Sequence, residues 1–314
     1  METYRTVSTR EPSRAVVTTE FQSMVGTSAP IREVERALGW LAAAEVNLLL
    51  QGEAGTGKRV LAEAIHTQSP RGAGPFFAVA LTGRPESDIE SELFGRDGEG
   101  GLIGAARGAT LYLEDISSLS IRLQRRLARV LRADPARRGV RIIASTLVDL
   151  EESVRFGRFL PDLHSHLGLI RLTVPPLRER REDIVALTEY FVRRYCERTG
   201  LAGISVARAA LAELTAYAWP GNARELQQTL EAALALTRGG ELTAERIRTV
   251  LGRRPRRHVA PDVFPLRELE RDYIGTVLAR CNWNQSLAAR RLGIGRNTLM
   301  RKIKSFKLEK SEAA

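Results

Sequence analysis

Apolar positions divide the chain into a first part, where short apolar runs alternate with helical periodicity, and a second part with helical periodicity only. Phe21 to Glu45 opens on a turn-like segment and then sets Ile31, Val34, Leu38 and Leu41 at helical spacing. The pattern predicts strands over Asn47–Gln51, Pro75–Leu81, Ala109–Asp115, Val140–Thr146 and Leu169–Val174. Between them it predicts helices over Val60–His66, Pro85–Gly95, Ser120–Arg132 and Phe156–Leu167. Strands alternating with helices imply an α/β fold, a parallel sheet covered on both faces.

Beyond Pro175 and Pro176 the spacing predicts helices over Glu182–Thr199, Val206–Tyr217, Ala223–Thr237 and Ala244–Leu251, a small helical lid. In WPGNARE, Asn222 is expected to cap the third of these, with Glu225 as its reciprocal partner. Residues 252–265 carry the charge and prolines of an exposed linker. The rest, 266–314, reads as a small all-α unit. Leu266–Cys281 carries apolar Leu269, Tyr273, Val277 and Leu278, and Gln285–Leu292 is short and alanine-rich. A turn at Gly293, Ile294 and Gly295 then leads into Arg296–Lys304. Short helix, glycine turn and basic helix form a helix-turn-helix pattern. Leu287, Leu292, Leu299 and Ile303 would be its core. Arg296, Asn297, Thr298, Arg301, Lys302 and Lys304 would then face outward toward DNA. A helical oligomerisation module without DNA is the alternative.

Charge favours DNA. The chain carries +11, and +9 of it lies between Arg253 and Ala314. A near-neutral body with a basic tail unit suits a polyanion such as double-stranded DNA. No apolar stretch approaches a membrane span. Cys196 and Cys281 match no metal spacing, and a cytoplasmic, reduced protein is the simplest expectation. His164 and His166 lack further ligand types nearby and are taken as incidental. Residues 1–20 are polar and aperiodic, as in a disordered leader.

The clearest chemistry is in NLLLQGEAGTGKR, Asn47 to Arg59. Gly52, Glu53, Ala54, Gly55, Thr56, Gly57 and Lys58 fit the G-x-x-x-x-G-K phosphate loop, between an expected strand and an expected helix. Glycines let backbone N–H groups converge on a phosphate, the helix N-terminus adds positive potential, and Lys58 would reach the outer phosphates. The Ser or Thr that would hold Mg²⁺ is replaced by Arg59.

GEAGTGKR, ELFG (Glu92 to Gly95), PPLRERREDI (Pro175 to Ile184) and WPGNARELQ (Trp219 to Gln227) together resemble the AAA+ domain of sigma-54-dependent enhancer-binding activators. The segment from Leu266 to Leu308 resembles their Fis-type DNA-binding domain. The resemblance implies a leader over 1–20, an AAA+ nucleotide-binding subdomain over 21–174, its lid over 175–251, a linker over 252–265 and a helix-turn-helix domain over 266–314. It implies ATP or ADP as ligand, with Mg²⁺ as a possible companion, and Arg224 approaching the γ-phosphate. It also implies upstream DNA, self-association as a dimer or ring, and contact with the RNA polymerase holoenzyme. A sensory domain often precedes the family's ATPase, and none is expected ahead of Phe21 in this sequence.

Departures from the family pattern are expected to matter as much. The GAFTGA loop that contacts sigma-54 is absent after Gly95, or survives only as Gly100–Ala105 without its Phe-Thr tip. The acidic pair ending the third strand is Glu114-Asp115, the reverse of the family's Asp-Glu, and forms a degenerate catalytic site. Ala80, Leu147, Leu160 and His166 stand where the family has two asparagines and two trans-acting arginines. Such arginines can be worth roughly 10³ to 10⁵ in rate. These losses predict a DNA-binding regulator that retains nucleotide and hydrolyses it weakly or not at all. Such a chain would be inhibitory if mixed with a catalytically competent paralogue. Two alternatives stand beside it. One is an active sigma-54-dependent ATPase with Glu114 and Asp115 exchanging roles, and the other is an interaction protein that has lost nucleotide binding.

Overall fold

The computed structural model describes residues 26–95, 101–105, 108–132, 139–201, 203–237, 240–253, 270–271, 273–275, 277–278, 281 and 283–306. The chain divides into two compact units, Met1–Pro255 and Arg256–Ala314. The expected leader, Leu269 and linker residues 254–265 lie outside the described residues.

The first unit is built on a parallel sheet. Its strands are β1 (Leu48–Gln51), β2 (Phe76–Ala80), β3 (Thr110–Glu114), β4 (Arg141–Thr146) and β5 (Arg171–Thr173), in the order β2-β3-β4-β1-β5. The central strands β1, β3 and β4 carry apolar runs because successive side chains enter different cores. Leu48, Leu50, Tyr112 and Ile143 pack on one face with α1 (Ala29–Ala43) and α2 (Lys58–Thr67). Leu49, Leu111, Leu113, Ile142 and Ala144 pack on the other. That second face is covered by α3 (Glu86–Phe94), α4 (Gly101–Ala105), α5 (Ile121–Arg132), α6 (Leu150–Arg155) and α7 (Pro161–Leu167). Ile31, Val34, Leu38 and Leu41 are buried, as their spacing predicts. Arg141, itself buried, donates to the Leu41, Ala42 and Val46 carbonyls and so fixes the C-terminal end of α1 to β4.

The lid comprises α8 (Asp183–Thr199), α9 (Arg208–Ala216), α10 (Asn222–Ala235) and α11 (Ala244–Arg253), with a short parallel pair of β6 (Ser205–Val206) and β7 (Glu241–Leu242). Its core centres on Leu177, Ile184, Leu214, Trp219, Leu226, Leu230 and Ile247. The second unit has helical residues within 270–278, then α12 (Gln285–Leu292) and α13 (Arg296–Phe306). Asn284 caps α12 by accepting from the Leu287 N–H at 3.1 Å, and Gly293 closes it in the left-handed region at φ 67°.

Several elements differ from the sequence reading. The helix expected over Phe156–Leu167 starts only at Pro161, as α7, and α6, which ends at Arg155, was not expected. Asp149 caps α6 by accepting from the Glu151 and Glu152 N–H groups, Gly157 turns at φ 68°, and Pro161 starts α7. Val206 belongs to β6 rather than to α9, and α11 runs two residues past Leu251 to Arg253. In the second unit the buried face is offset. Ile274, Ala288 and Ala289 are buried, whereas Tyr273 and Leu287 are exposed, because the helices turn their small residues inward at the contact. Leu299 is buried, and Leu292 and Ile303 pack partly against it.

Candidate functional site

The phosphate loop leaves β1 between β4 and β5, at the carboxyl ends of the strands, where open α/β sheets place their ligand crevice. Its conformation is set by glycine. Gly52, Gly55 and Gly57 have φ of 156°, 78° and 102°. A Cβ on Gly55 would stand 2.2 Å from the Gly221 carbonyl oxygen, so only glycine lets the loop meet the lid there.

Each carbonyl from Gly52 to Thr56 has a donor. Lys58 Nζ donates to the Gly52 and Glu53 oxygens, both at 2.7 Å, and Thr56 Oγ1 donates to Glu53 at 2.9 Å. Asn222 Nδ2 donates to the Ala54 oxygen at 3.0 Å, the Arg224 N–H to the Gly55 oxygen at 3.3 Å, and Arg180 Nη2 to the Thr56 oxygen at 2.9 Å. With its carbonyls tied outward, the loop is a cradle whose N–H groups suit phosphate oxygens. Lys58 is buried, and burial pushes its ammonium down to about 8 against the pull of Glu114, Asp115 and Glu53; Arg224 lowers it further. Arg224 lies beside the loop, with its backbone N–H on the Gly55 oxygen.

Asn222 departs from its expected role. It is the first residue of α10, in left-handed backbone at φ 55°, and the cap position falls to Gly221, whose N–H is accepted by Glu225 Oε2 at 2.7 Å. The buried Asn222 amide instead ties lid to loop. Its Oδ1 accepts from the Leu177 N–H at 2.7 Å, and its Nδ2 donates to Glu53 Oε2 at 3.1 Å as well as to Ala54. Glu53 also pairs with Arg178 at 2.6 Å. The sequence reading assigned no role to Arg178, Arg180 or Asp183, although PPLRERREDI was the signal. Asp183 accepts from the Thr27 and Ser28 N–H groups and the Ser28 hydroxyl, so it anchors the start of α1 to the lid.

At the end of β3 the arrangement is different. Asp115 takes left-handed backbone at φ 60°, a region that Asp tolerates better than Glu. Its N–H donates to Ser145 Oγ, which also accepts from the buried Tyr112 hydroxyl at 2.9 Å. Its carboxylate accepts from Ser117 at 2.5 Å, Ser118 at 2.7 Å and Thr82 at 3.1 Å. Glu114 precedes it within electrostatic range of Lys58. Ala80 pairs across the sheet with Glu114 and offers no side-chain amide. Leu147 is exposed just beyond β4. Leu160 packs against the sheet core ahead of α7, and His166 lies 3.6 Å from Asp162. Ile103 of α4 is buried in the same core.

Arg59, at the start of α2, donates through Nε to Glu63 Oε1 at 3.0 Å, with side chains 49% and 28% exposed. An exposed i,i+4 pair of this kind is worth only ~0.3–0.5 kcal/mol. No group of three or more His, Cys, Asp or Glu side chains able to hold a metal occurs among the described residues. No helix among them is long and apolar enough to cross a membrane.

On the second unit, Arg296, Asn297, Arg301 and Lys304 of α13 are exposed. Thr298 is half-buried. Lys302 is half-buried too, with Nζ 2.5 Å from Glu270 Oε1, so its charge is engaged within the unit rather than fully outward.

Residues 24–173 match the sigma-54 interaction domain, 178–262 the AAA+ ATPase lid domain, and 265–306 the bacterial regulatory proteins of the Fis family. The chain is 36% identical over 302 residues to the transcriptional regulatory protein ZraR of Klebsiella oxytoca, covering 89% of this chain and 68% of that protein. It is 34% identical over 347 residues to the DNA-binding transcriptional regulator NtrC of Klebsiella pneumoniae, covering 96% and 73%. Among solved structures, NtrX from Brucella abortus in complex with ADP superimposes with a TM-score of 0.67 at 32% identity, covering 91% of this chain and 69% of that one. With all three domains matched in order, the chain belongs to the sigma-54 enhancer-binding family of transcriptional regulators.

Proposed function

We propose that the protein is a cytoplasmic, sequence-specific regulator that binds double-stranded DNA through Arg296, Asn297, Thr298, Arg301, Lys302 and Lys304. Its AAA+ domain holds ATP or ADP on Gly52–Lys58 with Arg59 and Arg224, turns the nucleotide over weakly or not at all, and does not remodel sigma-54 through a GAFTGA loop. NtrX of Brucella abortus, similar at 32% identity, was solved with ADP and with ATP, which supports the nucleotide reading.

One observation carries the catalytic half. The carboxylate nearest the position of a water-activating base, Asp115, already accepts from Ser117, Ser118 and Thr82. A carboxylate that already accepts three hydroxyl donors is a weaker acceptor for a water proton. Leu147, Leu160 and His166 add no cation or amide around it. Bound nucleotide is then a ligand that stabilises the folded state and subunit contacts by mass action. The protein would self-associate, and in mixed assemblies it would leave a competent neighbour's site incomplete. Its contact with the polymerase holoenzyme would not run through the family's loop.

The test pairs steady-state ATP hydrolysis with thermal unfolding in ATP and ADP. The expected result is nucleotide-dependent stabilisation, lost in Lys58→Ala, with turnover indistinguishable between the two proteins. Family-like turnover abolished by Lys58→Ala would favour the active ATPase, in which Glu114, without the hydroxyl partners of Asp115, is the working carboxylate. For the DNA end, Arg301→Ala should weaken binding to a cognate site, and unchanged affinity at every salt concentration would reject that face.

A further inference from the structure

The cation that accompanies a nucleotide on a phosphate loop is usually Mg²⁺, held by a hydroxyl after the loop lysine and by carboxylates at a neighbouring strand end. The donor set here does not fit that ion. The position after Lys58 is Arg59, a cation where the resembled family has Glu and likewise no hydroxyl. One strand-end carboxylate, Asp115, is filled by the hydroxyls of Ser117, Ser118 and Thr82. That leaves Glu114, which already lies in the field of the Lys58 ammonium. Mg²⁺ on a nucleotide takes one or two carboxylates besides phosphates and waters, and here it would have Glu114 alone, beside the Lys58 ammonium and with a guanidinium side chain at the position after that lysine.

The same residues suit a bare polyphosphate. Lys58 is buried at the loop, Arg224 exerts its charge on Lys58, and Arg59 follows Lys58 on the helix that begins at the loop. Arg59 is spare. Its partner Glu63 is one helical turn away, the pair is exposed, and only Nε is engaged at 3.0 Å. Rotating the guanidinium off Glu63 would offer a phosphate oxygen pair a bidentate fork, the pairing that a bridging Mg²⁺ makes elsewhere.

We propose that this phosphate loop binds nucleoside di- and triphosphates without Mg²⁺, with Arg59 supplying the positive charge that the metal provides elsewhere. The inference rests on the nucleotide-binding reading above. It is an affinity that gains nothing from the metal, set by Arg59 and by the hydroxyl-bonded Asp115 carboxylate.

Calorimetric titration of the full chain with ADP and with ATP, once in EDTA and once in excess Mg²⁺, tests it. The expected dissociation constants agree within about threefold between the two conditions. Arg59→Ala, checked for unchanged unfolding temperature without ligand, should weaken binding in EDTA by about tenfold, the scale of one charge-assisted contact. Arg59→Glu should bind measurably only with Mg²⁺. Tenfold or greater tightening of the wild type by Mg²⁺ would overturn the proposal, as would an Arg59→Ala protein that binds like wild type in EDTA. Binding in neither condition would instead remove the nucleotide-binding reading itself, which separates the two failures.

Discussion

Two stretches of the same sheet edge differ in what they have kept. At the β1 end, the loop from Gly52 to Lys58 is built as a closed cradle. Its carbonyls are satisfied, its glycines occupy the backbone they alone can hold, and Asn222, Arg178 and Arg180 reach it from the lid. At the β3 and β4 ends, Asp115 is turned into a cluster of its own hydroxyls, Leu147 is exposed, and Leu160 serves the core. Random decay would have loosened both ends alike. The contrast points to one end held by folding as well as by ligand, because the lid cannot pack without the loop. On the proposed reading the other end was held by catalysis alone, and the fold itself places no demand for an amide or a guanidinium at Ala80, Leu147, Leu160 or His166.

The strongest way to break this comparison is to break the seam. Gly55→Val puts a branched side chain where even a Cβ would stand 2.2 Å from the Gly221 oxygen, on backbone at φ 78°. Left-handed strain and displaced backbone together should cost about 4 kcal/mol or more. Chemical unfolding of the AAA+ unit measures it, and a loss under ~1 kcal/mol would mean that the lid does not lean on the loop. Asn222→Ala is next. It strips donors or acceptors from the Leu177 N–H and the Ala54 oxygen in a buried setting, at about 2–3 kcal/mol by the cost of unsatisfied groups. If Asn222 were merely a helix cap, the loss would be nearer ~1 kcal/mol.

That distinction also marks what the sequence could and could not reveal. The sheet was legible because strands buried on both faces read as apolar runs, and Leu48, Leu49 and Leu50 do face two cores. The phosphate loop was legible because glycine spacing is local. Asn222 was misread because its partner Glu53 lies 169 residues away, beyond any periodicity. The connection from Phe156 to Leu160 was read as helix because the apolar spacing continues through it, and the left-handed turn at Gly157 interrupts that spacing. Leu287 was placed in the core because leucine usually wins over alanine there, whereas close helix approach buried Ala288 and Ala289 instead. The hydroxyls around Asp115 were all present in the sequence, at Thr82, Ser117 and Ser118. Nothing local said that the carboxylate would turn toward them.

A third prediction sharpens the intact end. Lys58 in the free protein loses its proton near pH 8, because burial outweighs the carboxylates around it. A bound anionic phosphate favours the protonated form, so binding above that pH must take up a proton. With about a tenth of Lys58 protonated at pH 9, the dissociation constant for ADP should rise roughly tenfold per pH unit above 8, about 1.4 kcal/mol. Below pH 8 the profile should be flat for this group. Lys58→Arg should bind more weakly but without that slope, since a guanidinium keeps its charge. A wild-type profile flat to pH 9.5 would place the Lys58 proton loss well above the loop's working range.

The smallest effect expected concerns the eroded end. Replacing Ser117 and Ser118 with alanine removes the shortest donors to the Asp115 carboxylate, at 2.5 and 2.7 Å. Ser118 is exposed and Ser117 half-buried, so the stability cost should stay within ~1 kcal/mol per hydroxyl. Thr82 would still donate at 3.1 Å, and Ser145 would still hold the Asp115 backbone. Hydrolysis should therefore remain at background in the double variant, and in a triple variant that adds Thr82→Val. Freeing one carboxylate restores neither the amide missing at Ala80 nor the cations missing at Leu160 and His166. A clear rise in steady-state turnover in either variant would show that the hydroxyl cluster alone holds the base back. The β3 end would then be a restrained site rather than an eroded one, and its contrast with the phosphate loop would be one of regulation instead of loss.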